Sequence, residues 1–146
     1  RTKFATLARD LRELGADEVI NYRSREDWDT AVIELTDRRG VDHVVEVGGS
    51  GTLAKSLTSV RLGGHVAMIG ALTGPGDFSP ITVFMKAVRL QGIFVGSRTM
   101  FEDMNRAIEV AKLKPVVDRV FDFGDPREAM KYMQTGAHFG KVVISI

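Results

Sequence analysis

Cysteine is missing from all 146 residues. A chain without thiols has no disulfide, no cysteine-ligated zinc and no cysteine nucleophile of its own. It fits a reducing compartment, and a cytoplasmic location is expected. Charge of one sign is missing too: 20 Lys and Arg stand against 19 Asp and Glu, a net charge of +1. The basic residues are scattered, so neither nucleic acid nor an anionic membrane is an expected partner. No apolar run approaches the ~20 residues that cross a bilayer, and no secretory leader is visible.

What is present is globular. The hydrophobic share is 44% and the charged share 27%, in a length that suits one domain. The chain opens Arg1-Thr2-Lys3, without Met, and enters a helical pattern at once, as if it began partway through something longer. Phe4, Leu7, Ala8, Leu11 and Leu14 fall at helical spacing, with Gly15 placed as a C-terminal cap. A short strand is expected over 19–22. Trp28, Ala31, Val32 and Leu35 stripe a second helix, and 43–47 reads as a buried strand. Ser50 or Thr52 can cap a third helix carrying Leu53, Leu57 and Val60. Gly63 and Gly64 are expected to turn the chain before a strand over 65–69. Pro75 and Pro80 mark a loop, and 90–95 is a further strand. Met104, Ala107, Ile108 and Ala111 stripe a fourth helix. A strand over 116–121, a helix from Pro126 to about Gln134 and a strand over 142–146 complete the pass.

Strands and helices in alternation predict a parallel sheet with helices on its faces. Ligands in such folds sit outside the carboxyl ends of the strands. Three strand ends carry glycine: Gly48, Gly49 and Gly51 after Val47, Gly70 after Ile69, and Gly96 after Val95. Glycine there admits a ring or a ribose against main chain, although loops hold glycine for other reasons as well. VVEVGGSG resembles the first motif of S-adenosylmethionine-dependent methyltransferases. That reading asks for an acidic residue at the end of the next strand, where Gly70-Ala71-Leu72 stands instead.

A second resemblance covers the whole chain. LRELGADEVINYR, GVDHVVEVGGSGTLAKSL, LGGHVAMIGAL, LQGIFVGSR and HFGKVVISI, in that order, resemble the cofactor domain and C-terminal segment of the medium-chain dehydrogenase/reductase superfamily. The nearest members are zinc-binding dehydrogenases and quinone-oxidoreductase-like proteins. The resemblance implies an α/β fold: a Rossmann-type doubly wound parallel sheet lacking its first strands. Residues 1–114 would form a partial dinucleotide-binding domain, and 115–146 a segment returning toward the catalytic domain. No G-x-G-x-x-G stands in the sequence, so the pyrophosphate turn, the zinc ligands and the proton relay would belong to residues outside it. The neighbours of the strand over 43–47 would be among the missing ones, which predicts a fragment unstable by itself.

The resemblance implies a hydride transfer between a nicotinamide cofactor and a carbonyl, an alcohol or an activated C=C such as a quinone or enone. Arg1, Thr2 and Lys3 would align with the end of the family's second strand. Cations there in place of an acid favour NADP(H) over NAD(H). A lysine common in the first helix is Leu7 here, so a phosphate contact falls to Lys3 or Arg1. Tyr22 would flank the adenosine. Val47, Gly48 and Gly49 would pass under the ribose, and Ile69, Gly70 and Ala71 beside the nicotinamide. The main chain of Phe94 and Val95 would hold the carboxamide, and His138 and Lys141 would close over the phosphates. No catalytic residue is assigned, and zinc in the intact enzyme stays open. His43 and His65 read as polar caps, Trp28 and the methionines as packing, and Glu46 receives no acid–base role. LQGIFV carries no charge or proline, so Leu90 and its neighbours suit a homodimer edge. Two other readings stand beside the reductase: the methyltransferase, and a non-catalytic NADPH-binding module.

Overall fold

The computed structural model describes the backbone of residues 2–146 and the side chains of residues 4–146. Its contacts divide the chain into two compact units, Arg1–Val95 and Gly96–Ile146.

The first unit opens with α1 (Thr2–Glu13). Ala16 N–H donates to Leu11 O at 3.1 Å and Gly15 N–H to Arg12 O at 2.9 Å, the glycine-terminated stop that the spacing predicts. The strand expected over 19–22 does not form. A strand exists through its ladder partner, and no strand of the described residues pairs with this segment. α2 (Trp28–Leu35) follows, then β1 (Val41–Glu46), α3 (Ser50–Ser59), β2 (Val60–Met68), the short α4 (Ile81–Met85) and β3 (Arg89–Gly92). The three strands are parallel in the order β1-β2-β3.

Two details differ from expectation. Gly63 and Gly64 lie inside β2 rather than in a turn before it. The register steps from Val41↔Val60 to His43↔His65, so the extra residues of β2 bulge out of the ladder. The strand expected over 90–95 keeps its ladder only as far as Gly92. Ile93 N–H adds one bond to Met68 O at 2.8 Å, and beyond it Phe94 and Val95 leave the sheet.

One face of the sheet is covered. Leu53 and Leu57 of α3 pack with Val60, Val66 and Val88, and Val44, Met68, Val83 and Leu90 close around them. The i, i+4 pair on α3 meets alternate residues of the strands, as the two periodicities require. Burying each such side chain contributes about 1.5–3 kcal/mol. α3 is also held at its C-terminal end. The Lys86 ammonium donates to Leu57 O at 3.0 Å, to Thr58 O at 2.8 Å and to Val60 O. A cation there answers the negative end of the helix dipole. The other sheet face is open, with Val45 65% exposed.

The second unit contains α5 (Arg98–Val110), β4 (Val117–Asp122), α6 (Pro126–Gln134) and β5 (Lys141–Ser145). Ser97 caps α5 by accepting from Met100 N–H at 3.2 Å. β4 and β5 are parallel and joined through α6, whose Ala129 is buried. Pro126 stands in the first turn of α6, where its missing N–H costs nothing. Asp118 pins the turn before β5. It accepts from Tyr132 Oη at 2.7 Å and from Phe139 N–H at 3.0 Å. Those two bonds, the amide first, hold the Asp118 carboxyl below its ordinary pKa.

Candidate functional site

The site begins at Glu46, the last residue of β1. Its side chain is 2% exposed. It sits where the strand hands over to α3, so it meets the free amides of the helix start. Oε1 accepts from Gly49 N–H at 2.9 Å and from Thr52 Oγ1 at 2.5 Å, and Oε2 from Ser56 Oγ. Neither Ser50 nor Thr52 caps α3; the N-cap residue is Gly49, which has no side chain, and the carboxylate supplies the acceptor. Burial pushes the Glu46 carboxyl up. The bonds from Ser56, Thr52, Gly49 and Gly48 outweigh it, and the group lies below the ordinary glutamate value. The positive end of α3 is thereby already answered.

The Glu46 carbonyl does a second job. It accepts from Ile69 N–H at 2.9 Å and Gly70 N–H at 3.2 Å, tying the turn after β2 to the turn after β1. Thr73 ties them again. Its amide and its hydroxyl each donate to Gly48 O at 2.9 Å, and its hydroxyl accepts from Gly51 N–H at 2.8 Å. The two turns touch closely enough to exclude side chains. Gly49 has φ +90°, and a Cβ there would stand 2.9 Å from Ala71 Cα. A Cβ on Gly70 would stand 2.1 Å from Val47 O. These glycines are needed first for the meeting of two loops.

That meeting creates a cavity of about 590 Å³ at the carboxyl ends of the three parallel strands. Gly49, Ile69, Gly70, Ala71 and Phe94 line it, with Leu53, Met68, Phe78 and Ile93. No charged side chain contributes to the lining, and Ser50 brings the one hydroxyl. The volume suits a small organic ligand, and the walls suit an uncharged ring. The main chains of Val47, Phe94 and Val95 make no hydrogen bond within the described residues. A second, smaller cavity of about 300 Å³ lies between Ile20, Tyr22, Trp28 and Thr52. Tyr22 is 64% exposed, so an aromatic face is available to a planar group.

The expected residues therefore separate into groups. Gly49, Ile69, Gly70, Ala71 and Phe94 come together at one cavity, with Val47 and Gly48 in the turn that supports it. Tyr22 lines the other cavity. Val95 is exposed and lines neither. His138 and Lys141 lie in the second unit. Lys141 opens β5 at the surface. His138 packs its ring 6.3 Å from that of Tyr132, and its Nδ1 is buried without a partner. Arg1 and the side chains of Thr2 and Lys3 lie outside the described residues; the backbone of Thr2 and Lys3 belongs to α1, not to a strand end. His43 and His65 stack edge to face across β1 and β2 with centroids 5.7 Å apart. Among the described residues no three His, Asp or Glu side chains stand together as metal ligands.

Sequence reasoning missed Glu46, Thr52, Ser56 and Thr73 as organisers of the turns. A signal was present: an acid two residues before a glycine pair, with hydroxyls four residues apart on one face of the following helix. Trp28, read as core, is half-buried at the rim of the smaller cavity.

A parallel sheet whose glycine turns converge on an apolar cavity defines the chain as part of an α/β fold of the Rossmann type, with one sheet face covered. Its relatives make the class specific. A family model described as zinc-binding dehydrogenase matches residues 14–144. The chain belongs to that family, within the medium-chain dehydrogenases and reductases. A zinc-type alcohol dehydrogenase-like protein of Schizosaccharomyces pombe is 38% identical over 140 residues, spanning 92% of this chain and 40% of the relative. A solved NAD-dependent alcohol dehydrogenase superposes with a TM-score of 0.81 at 30% identity, covering 95% of this chain and 40% of its own. A quinone oxidoreductase of Pseudomonas syringae superposes with a TM-score of 0.75 at 26% identity, over 95% and 46%. The chain thus spans about 40% of the length of the curated relatives it matches.

Proposed function

We propose that this chain is the cofactor-holding part of a reductase or dehydrogenase that moves hydride between a nicotinamide dinucleotide and a carbonyl, an alcohol or an activated C=C. The observation that carries the reading is the convergence of three strand-end segments, at Gly49, Ile69–Ala71 and Phe94, on one uncharged cavity. A nicotinamide ring needs such walls, because the ring gains and loses charge and water must be kept from it. The protein's share of the work is to hold the ring still against main chain. The smaller cavity beside Tyr22 and Trp28 suits the adenine, a flat ring that stacks on aromatic faces.

NADP(H) is preferred over NAD(H) in this reading, on the cations Arg1 and Lys3 and the lack of an acid beside them. One solved relative is NAD-dependent, so the two nucleotides must be compared directly. A cytoplasmic location, and a homodimer through the strand that carries Leu90, belong to the same proposal.

Titration of the chain with NADPH, NADH and S-adenosylmethionine tests it. Trp28 is the sole tryptophan and lines the smaller cavity, so its fluorescence reports occupancy there. The expected result is saturable quenching by NADPH, weaker quenching by NADH and none by S-adenosylmethionine. Response to S-adenosylmethionine alone overturns the reading.

A further inference from the structure

The two cavities of the first unit share a hydrogen-bonded wall. Gly49 lines the larger one and Thr52 the smaller. Both bond to the same atom, Glu46 Oε1, the amide at 2.9 Å and the hydroxyl at 2.5 Å. No cation neutralises this carboxylate among the described ion pairs. It is buried and kept charged by neutral donors alone, so its position depends on all of them together. The same residue's carbonyl accepts from the amides of Ile69 and Gly70, which also line the larger cavity.

We propose that Glu46 is a positioning residue that couples the two cavities, so that a ligand in one tightens the binding of a ligand in the other. The path is short and continuous. A planar group beside Trp28 restrains Thr52, the Thr52 hydroxyl restrains Oε1, and Oε1 restrains the Gly49 amide. Gly49 is the residue on which the coupling acts, since at φ +90° and without a side chain its turn is held by hydrogen bonds and backbone contact alone. Ordering that turn has an entropic cost. The first ligand meets it, and the second then binds to a turn already in place. This rests on the reading that the cavities take the two ends of one dinucleotide, and it adds that the ends assist one another through a buried acid.

Two half-ligands test the coupling in the 146-residue chain. Adenosine 2′,5′-bisphosphate is titrated against Trp28 fluorescence, with and without saturating nicotinamide mononucleotide. The expected result is a tightening of roughly fivefold or more, the range in which coupled sites ordinarily fall. In Glu46→Gln the factor is expected to drop to about one. Gln keeps the size of the side chain, but it cannot accept at both ends. Thr52→Val cuts the bridge from the other side and is expected to give the same loss; it carries the test should Glu46→Gln fail to fold. Leu57→Ala serves as the control: it lowers the melting temperature without touching either cavity, and its factor is expected to match the native one. Binding of both half-ligands with a native factor of one overturns the coupling, as does a factor unchanged in Glu46→Gln or Thr52→Val. A native chain that binds neither NADPH nor the half-ligands overturns the dinucleotide reading, and the coupling with it.

Discussion

Glu46 also makes an acid-sensitive prediction. Its folded pKa lies below the ordinary glutamate value, so its bonds stabilise the fold fully above that value, near 4.3. The contribution is lost as pH falls through the lower, folded pKa. Asp42 is depressed in the same direction by its bonds to Arg39 and Arg61, and its own contribution is lost as pH falls below the ordinary aspartate value. Glu46→Gln is therefore expected to flatten, not abolish, the acid limb of a melting-temperature profile taken from pH 7 to pH 3. Gly70 gives a steric prediction. Alanine there would drive a Cβ to 2.1 Å from Val47 O, which is backbone and cannot swing aside. We expect Gly70→Ala to cost about 1–3 kcal/mol in denaturant unfolding and to weaken NADPH more than adenosine 2′,5′-bisphosphate. Equal losses for both ligands would count against a nicotinamide end at this turn.

At the scale of elements, α3 is the part that everything else is built upon. Its apolar pair Leu53 and Leu57 fills the core, an acid holds its start and a lysine holds its end. Lys86→Met keeps most of the stem and removes the three carbonyl contacts. The expected loss is on the order of 1–2 kcal/mol, read as a lower denaturant midpoint with an unchanged slope. Much of this level was legible in the sequence. The stripe of Leu53, Leu57 and Val60 named the buried face, and Pro126 named the start of α6. The failures share one cause. Residues 19–22 carry strand-type side chains, but a ladder needs a neighbour, and pairing is not written in a local pattern. Gly63 and Gly64 announced a turn, yet parallel pairing with β1 drew them into β2 as a bulge. The acceptor that caps α3 comes from the strand before it, outside the positions where capping patterns look.

On the scale of the whole chain, the three-stranded sheet has two edge strands, β1 and β3, with no further ladder partner among the described residues. The homodimer proposal uses β3. A charge in the middle of that edge, Gln91→Lys, is expected to shift the population toward monomer in light scattering at micromolar concentration. A native chain that is already monomeric there removes the proposal. Ligand linkage gives a second global measurement. A dinucleotide at a hundred times its Kd should stabilise the fold by about 2.7 kcal/mol, provided the unfolded chain does not bind it.

Periodicity and turn chemistry were enough to predict an α/β chain with a parallel sheet, because side-chain spacing and turn chemistry are local properties that survive without coordinates; the family followed from the resemblance of five stretches in order. The sequence by itself also placed glycines at the strand ends. Only the tertiary structure decided why they are there: the Val47–Gly49 and Ile69–Ala71 turns press backbone against backbone, and the cavity exists because they do. It alone decided that Glu46, given no acid–base role from the sequence, stands between two cavities. Burial and hydrogen bonding depend on which residues meet across the fold, and residues 46, 52, 69 and 73 meet only when three parallel strands bring their ends together.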